Sequence, residues 1–175
     1  MDTIQAILER YSHREAYEPT PVPREALKLI METGLAAPSG CNLQTTSLIG
    51  LDDAELIGAV SKHMNRPEFA STPAAVCVLS NMVSAYEDTH FYVQDYSAVI
   101  ENMLIAITAM GYASCWVEGH VTRDKEISMK MARELGVPED YKLVAYLPIG
   151  IPVKKGEPAG KKPFEQRAWF NGFGK

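Results

Sequence analysis

A single domain of mixed helices and strands is what the sequence predicts, and three observations predict it. Segments with apolar residues at helical spacing alternate with short, continuous apolar runs of strand length. A chain of 175 residues with 46% hydrophobic content is long enough and apolar enough to bury one sizeable core. No internal repeat, low-complexity run or second domain interrupts it.

Each element follows from local chemistry. Asp2 followed by Gln5 has the pattern of a helix cap, with Ile4, Ile7, Leu8 and Tyr11 on one face of the first helix. Pro23 suits the first position of a second helix whose buried stripe is Leu27, Ile30, Met31 and Leu35. Ser47 to Leu51 reads as a short strand, and Asp52 with Glu55 is expected to cap a third helix carrying Leu56, Ile57 and Val60. Residues 62–72 lack periodicity and read as an irregular loop, after which Ala74 to Leu79 is a buried strand. The longest periodic segment, about Phe91 to Met110, is apolar on more than one face, so a central helix buried by several partners is expected, closed by Gly111. Ala113 to Val117 reads as a strand that meets an abrupt polar turn at Glu118-Gly119-His120. Thr122 is expected to cap a helix bearing Ile127, Met131 and Leu135, which Gly136 and Pro138 end; Leu143 to Leu147 is the last strand. From Val153 the composition turns to Lys, Gly, Pro and Glu, an extended tail whose Trp169, Phe170 and Phe173 need an apolar surface to dock on.

Charge and cysteine content narrow the function. Seventeen basic against twenty-two acidic residues, with no long basic block, argue against nucleic acid as a partner, so any anion site must be local. Three cysteines without metal-ligand spacing suit reduced thiols in a cytoplasmic protein, and suggest no metal site. The N-terminus lacks the pattern of a signal peptide, and no apolar run reaches membrane-spanning length.

Two stretches concentrate the groups that could hold a ligand. Ala36 to Gln44 stops a helix with small residues, then presents Pro38, Ser39, Gly40, Cys41, Asn42 and Gln44 in close succession, a loop suited to a flat polar ligand. By itself it reads first as a helix-terminating turn whose Ser and Asn satisfy their own backbone, and the other stretches of the chain shift that balance. Arg10-Tyr11-Ser12-His13-Arg14 offers two guanidinium forks and a hydroxyl that match a phosphate, or else a solvated helix end whose arginines pair with Glu9 and Glu15. Lys161-Lys162-Pro163 in the tail is a second opportunity for an anion. Cys41 with His13, His63 or His120 forms no recognisable nucleophile and base, so a bound organic cofactor is expected to carry any chemistry.

The ordered set resembles the FMN-dependent nitroreductase family over essentially the whole chain. Arg10 to Arg14 is similar to that family's N-terminal Arg-Arg/His-Ser-x-Arg/Lys box, and Ala37 to Gln44 to its Ala-Pro-Ser-x-x-Asn-x-Gln loop. Gln94-Asp95 and Glu101-Asn102-Met103-Leu104 match its central helix, Cys115 to Gly119 the strand end that meets the flavin, and Lys161-Lys162-Pro163 its basic pair before proline.

The resemblance implies an α+β fold: a three-layer α-β-α sandwich around a central, mostly antiparallel mixed sheet. It implies FMN held through Arg10, Ser12, Arg14 and Lys161 at the phosphate and ribityl chain, with Tyr11 packing nearby. Pro38, Ser39, Asn42 and Gln44 would line the ring, Glu118 and Gly119 would meet its N5 edge, and Asn65 its pyrimidine edge. It further implies a homodimer with FMN at the interface, residues 153–175 docked on the partner subunit, and NAD(P)H-driven reduction of nitroaromatics or quinones by a ping-pong route. A specialised flavin enzyme such as a reductive dehalogenase, or a flavin carrier without turnover, fits the same residues. Two departures stand out: Tyr11 replaces a usual Arg or His, and Thr45-Thr46 replaces a usual Pro-Trp, which opens the ring-side wall to polar groups.

Overall fold

Helices and strands follow the predicted order. The computed structural model describes residues 1–66, 69 and 71–174. Among them, in chain order, are α1 (Thr3–Glu9), α2 (Arg24–Leu35), β1 (Thr46–Leu51), α3 (Ala54–Ser61), β2 (Ala74–Asn81), α4 (Tyr92–Ala109), β3 (Ala113–Ser114), α5 (Gly119–Thr122), α6 (Lys125–Glu134) and β4 (Tyr141–Gly150).

The strands form one sheet in the order β1-β2-β4-β3, with every pairing antiparallel. A parallel bridge between Ser12 and Ser114 ties the N-terminal segment to its β3 edge. Alternation along β2 creates the three layers. Ala74, Val76 and Val78 join α2 and α4 on one face, while Ala75, Cys77 and Leu79 join α3 and Met131 of α6 on the other. In β4 the register jumps between the pairs Val78↔Ala145 and Leu79↔Leu143, leaving Val144 as an extra residue. The bulge lets Val144 and Ala145, neighbours in sequence, serve the same core.

Helix α4 is the hub. Its Tyr96, Val99, Ile100, Met103, Leu104 and Ile107 are all buried, and Gly34 of α2 lets it approach so closely that an added Cβ would lie 2.6 Å from Met103 Cγ. Gly111, at φ 85°, ends it as predicted: Gly111 N donates to Thr108 O and Tyr112 N to Ile107 O.

Several boundaries differ from expectation. Pro23 stands just before the first helical residue rather than on it. Asp53, not Asp52, caps α3 by accepting from Leu56 N, because Asp52 is taken by a bidentate pair with Arg24 at 2.6 Å. Asp124, not Thr122, caps α6. The strand expected over 113–117 is only Ala113–Ser114, followed by one bridge from Val117 to Tyr146. On α1 only Ala6 is buried; Ile4, Ile7 and Leu8 face outward in the single chain.

Candidate functional site

The loop after α2 is shaped from below by α4. Residues 40–42 form one 3₁₀ turn in which Cys41 and Asn42 have φ of 52° and 54°, and Gln44 follows at 50°. Such left-handed angles in non-glycine residues cost on the order of 1–2 kcal/mol each, less for Asn. Gly40, expected to supply the unusual angles, is not among the left-handed residues; it supplies room instead. A Cβ there would lie 2.4 Å from Cδ2 of Phe91, the residue that begins α4.

One turn further along α4, buried Asp95 meets the same loop. Its Oδ1 accepts from Gly40 N at 2.8 Å and its Oδ2 from Thr45 Oγ1 at 2.7 Å. Ser39 Oγ accepts from Gln44 N at 2.9 Å, so part of the loop's hydroxyl chemistry is spent internally, as the simple turn reading requires. A hollow of about 180 Å³ remains, lined by Pro38, Ser39, Gln44, Thr45, Thr46 and Asp95 among others. Asn42 is exposed and is not among the lining residues.

The N-terminal cluster does not follow the simple ion-pair reading. Arg10 pairs with neither Glu9 nor Glu15; its Nε is 3.3 Å from Glu101 Oε1 of α4, without the alignment of a hydrogen bond. Ser12 is bridged to Ser114, and His13 N donates to Ser114 O. Arg14 Nη1 donates to Ser12 O at 3.4 Å. The Tyr11 ring lies against Gly156, where a Cβ would come within 2.6 Å of it. A hollow of about 370 Å³ is lined by Tyr11, Ser12, Arg14, Lys154 and Lys155 together with neighbouring residues. Lys161 is not in that lining; it stands exposed in the tail, and the basic residues beside the cluster in the same chain are Lys154 and Lys155.

Beneath the cluster lies Cys115. Burial pushes its thiol up, while the charges of Arg14, Arg66 and Arg10 and a hydrogen bond with Ser12 pull the other way without prevailing. The charge of Arg66 therefore acts on the same thiol as those of the two N-terminal arginines, although sequence reasoning took Asn65 and not Arg66 from the irregular stretch 62–72. Its Nη1 is 2.8 Å from His120 Nε2, and its guanidinium carbon is 5.0 Å from the centre of the buried Phe69 ring. Its neighbour Asn65, at φ 50°, ends the short 3₁₀ turn 62–64.

At the strand end, both carboxylate oxygens of Glu118 are occupied. Tyr96 Oη donates to Oε1 at 2.8 Å and Trp116 Nε1 to Oε2 at 3.0 Å. Burial, and after it this bond to Glu118, raises the Tyr96 hydroxyl well above its ordinary range. Gly119 begins α5 with nothing near the position a Cβ would take, leaving the backbone there open to a ligand.

The loop hollow and the N-terminal hollow share no lining residue. What unites them is α4, whose adjacent residues Asp95 and Tyr96 fasten the loop and the strand end, and whose Glu101 meets Arg10. Among the described residues, six buried side-chain polar atoms lack a hydrogen-bond partner: Arg10 Nε, Tyr11 Oη and Ser114 Oγ at the N-terminal cluster, Thr46 Oγ1 by the loop, and Ser80 Oγ and Tyr146 Oη in β2 and β4. Each such atom costs roughly 1–3 kcal/mol if it stays unpaired. Guanidinium and hydroxyl groups at one place, and amide and hydroxyl groups at the other, fit a ligand with an anionic end and a polar ring.

Comparison with known proteins agrees with this geometry. A sequence model of the Nitroreductase family matches residues 7–76 and 60–151. A protein of Archaeoglobus fulgidus named "Putative NADH dehydrogenase/NAD(P)H nitroreductase" is 28% identical over 153 residues, 86% of each chain. The fold matches an FMN-dependent nitroreductase from Clostridium difficile with a TM-score of 0.81 at 22% identity, covering 97% of this chain and 99% of that one. It matches the NADPH:FMN oxidoreductase of Vibrio harveyi equally well, with a TM-score of 0.81 at 21% identity over 98% of this chain and 77% of the other. With the family model matched across most of its length, and with α-β-α layers around an antiparallel sheet, the chain belongs to the Nitroreductase family.

Proposed function

We propose that the protein is an FMN-dependent oxidoreductase that uses NADH or NADPH to reduce nitroaromatics, quinones or related small acceptors. The observation that carries this reading is that Tyr11 Oη, Ser114 Oγ and Thr46 Oγ1, buried and without a hydrogen-bond partner, and Arg10 Nε, held only by an unaligned ion pair with Glu101, lie at the N-terminal cluster and the loop, where a flavin's phosphate and ring would be received. FMN is favoured over FAD because one arginine and serine cluster serves a single terminal phosphate, and the chain has no Gly-x-Gly-x-x-Gly fingerprint for a pyrophosphate.

In this reading Arg10, Ser12 and Arg14, with Lys161, hold the phosphate and ribityl chain, and Tyr11 packs beside them. Pro38, Ser39, Asn42 and Gln44 line the ring, and Asn65 meets its pyrimidine edge. Glu118 and Gly119 contribute backbone groups, since the Glu118 carboxylate is already held by Tyr96 and Trp116. Bound FMN supplies the redox chemistry, taking hydride from the nicotinamide and passing electrons to the acceptor in a ping-pong sequence. The protein's work is to bind and orient, with no side chain required as acid or base in hydride transfer to the flavin; the protons taken up by the acceptor come from solvent.

A homodimer completes the reading, with FMN at the interface and residues 153–175 docked on the partner subunit. Exposed Ile4 and Leu8 on α1, and exposed Phe170 and Phe173 in the tail, are apolar surface that a second copy would cover. The cytoplasm is its proposed location, and no helix among the described residues is long and apolar enough to cross a membrane.

The test is purification followed by mass analysis of the released cofactor and steady-state oxidation of NADH and NADPH with a nitroaromatic and a quinone. FMN with turnover supports the proposal. FMN without turnover makes the protein a carrier, and FAD or no flavin after reconstitution overturns the assignment.

A further inference from the structure

We infer that Asp95 is the positioning residue for the ligand-facing loop: its buried carboxylate, on the first turns of α4, holds residues 39–45 in a conformation the loop would not keep unaided. The inference rests on the flavin reading for its functional meaning, but its structural half stands on the geometry alone.

Asp95 is 3% exposed, and no ion pair holds it among the described residues. Its recorded partners are both neutral donors, and both belong to one short loop: the Gly40 amide at 2.8 Å and the Thr45 hydroxyl at 2.7 Å. These bonds grip the loop on either side of the three residues whose backbone is strained, Cys41 at φ 52°, Asn42 at φ 54° and Gln44 at φ 50°. An ionised carboxylate that accepts two hydrogen bonds makes charge-assisted contacts with both donors. Side-chain-free Gly40 is needed for the same seat, because the Phe91 ring fills the place of its Cβ. Phe91 and Asp95, one helical turn apart, thus form a two-point seat: the ring sets the height of the loop and the carboxylate pins its two ends.

The consequence follows from the strain. With the carboxylate gone, Cys41 and Gln44 have reason to relax toward ordinary angles, and the side chains of Ser39, Asn42 and Gln44 leave the places in which they face a ligand. The strands, with their own ladders and cores, do not depend on this contact. Loss of Asp95 is therefore felt in the loop and in ligand affinity, more than in the fold.

Amide hydrogen exchange on flavin-free protein tests this without reference to the cofactor. In Asp95→Asn, amides of residues 40–45 should exchange at least about tenfold faster than in wild type while those of β2 and β4 keep their protection. Thr45→Val, which removes one donor and leaves the carboxylate, should show a smaller change of the same kind, and Thr45→Ser, which restores the hydroxyl, should match wild type. FMN affinity should fall about tenfold or more in Asp95→Asn. Cys41→Gly, whose backbone accepts φ 52° without penalty, should recover part of that loss in the double variant.

Unchanged loop exchange in Asp95→Asn would overturn the inference, as would an equal loss of protection across the whole sheet. Should that variant fail to fold, the Thr45→Val and Thr45→Ser pair decides: identical loop exchange in the two refutes the role of the carboxylate bond. Failure of wild type to bind FMN would sink the flavin reading and leave the exchange result untouched.

Discussion

At the scale of single residues, the same amino acid type does different work according to its burial. Cys77 is completely buried in β2, and burial pushes its thiol up to about 12 from an ordinary value of 9. A folded-state value above the unfolded one means that its contribution is fully present below about pH 9 and is lost as pH rises toward 12, because only the unfolded chain releases the proton. Urea unfolding at pH 7 and pH 10.5 should therefore show a smaller alkaline loss in Cys77→Ala than in wild type. An equal loss in both would assign the alkaline sensitivity to other groups, such as Tyr96. Cys41, by contrast, is exposed. A thiol nucleophile needs a base or a cation beside it, and no such partner is recorded for Cys41, so Cys41→Ser should retain most nicotinamide-driven turnover at equal FMN occupancy. A loss of several orders of magnitude with flavin still bound would mean that Cys41 does chemistry.

Gly40 completes this scale. Phe91 occupies the space of its missing side chain, so Gly40→Ala must displace either the ring or the loop. Overpacking of this kind costs about 1–3 kcal/mol, and thermal unfolding of the apoprotein should record it. FMN affinity should fall in parallel, since the displaced backbone is the one that carries Ser39 and Asn42. A variant with wild-type stability and affinity would show that the loop has slack.

At the scale of elements, α4 has two tasks that its sequence combines. One face packs Val99, Ile100, Met103 and Ile107 into the core, and the first turns carry Phe91, Asp95 and Tyr96 to the loop and to the strand end. Tyr96→Phe keeps the ring in the core and removes one donor from Glu118. The carboxylate retains Trp116, so destabilisation should be modest, about 1–2 kcal/mol by urea unfolding, as for a hydrogen bond to a charged group. If residues 118 and 119 serve the ligand through their backbone, FMN affinity should drop by more than Trp116→Phe alone accounts for. The caps teach a complementary lesson: Asp53 and Asp124 cap their helices, whereas the nearby Asp52 is drawn off by Arg24, an exposed pair whose effect should fade in high salt.

At the scale of the whole molecule, the apolar surface left outside the core is the informative part. Ile4, Leu8, Leu35, Phe164, Phe170 and Phe173 are exposed, and they lie on the first helix, at the end of the second and in the tail. A dimer that covers them is the proposed state, so removing residues 160–175, together with Lys161, should shift the protein toward monomer in sedimentation and weaken FMN retention. A truncated protein that stays dimeric and keeps its flavin would place the interface and the phosphate site elsewhere in the chain.

The sequence by itself determined the order of the main elements and the central helix with its glycine cap, and it singled out the stretches Arg10 to Arg14 and Pro38 to Gln44 as candidate places for a ligand. These are local matters: periodicity, capping chemistry and side-chain type act over a few residues and survive in any tertiary context. Tertiary structure decided the rest. Arg10 turns to Glu101 rather than to its sequence neighbours, Arg66 comes to lie against His120 and Phe69, and Lys154 and Lys155 line the hollow beside the cluster where the motif pointed to Lys161. Gly40 serves packing against Phe91 instead of a left-handed turn, and Asp95 becomes the anchor of a loop some fifty residues away in sequence. Each of these depends on which surfaces the sheet brings within a few ångströms of one another, and the energies of such contacts come from partners distant in the chain, which no local pattern encodes.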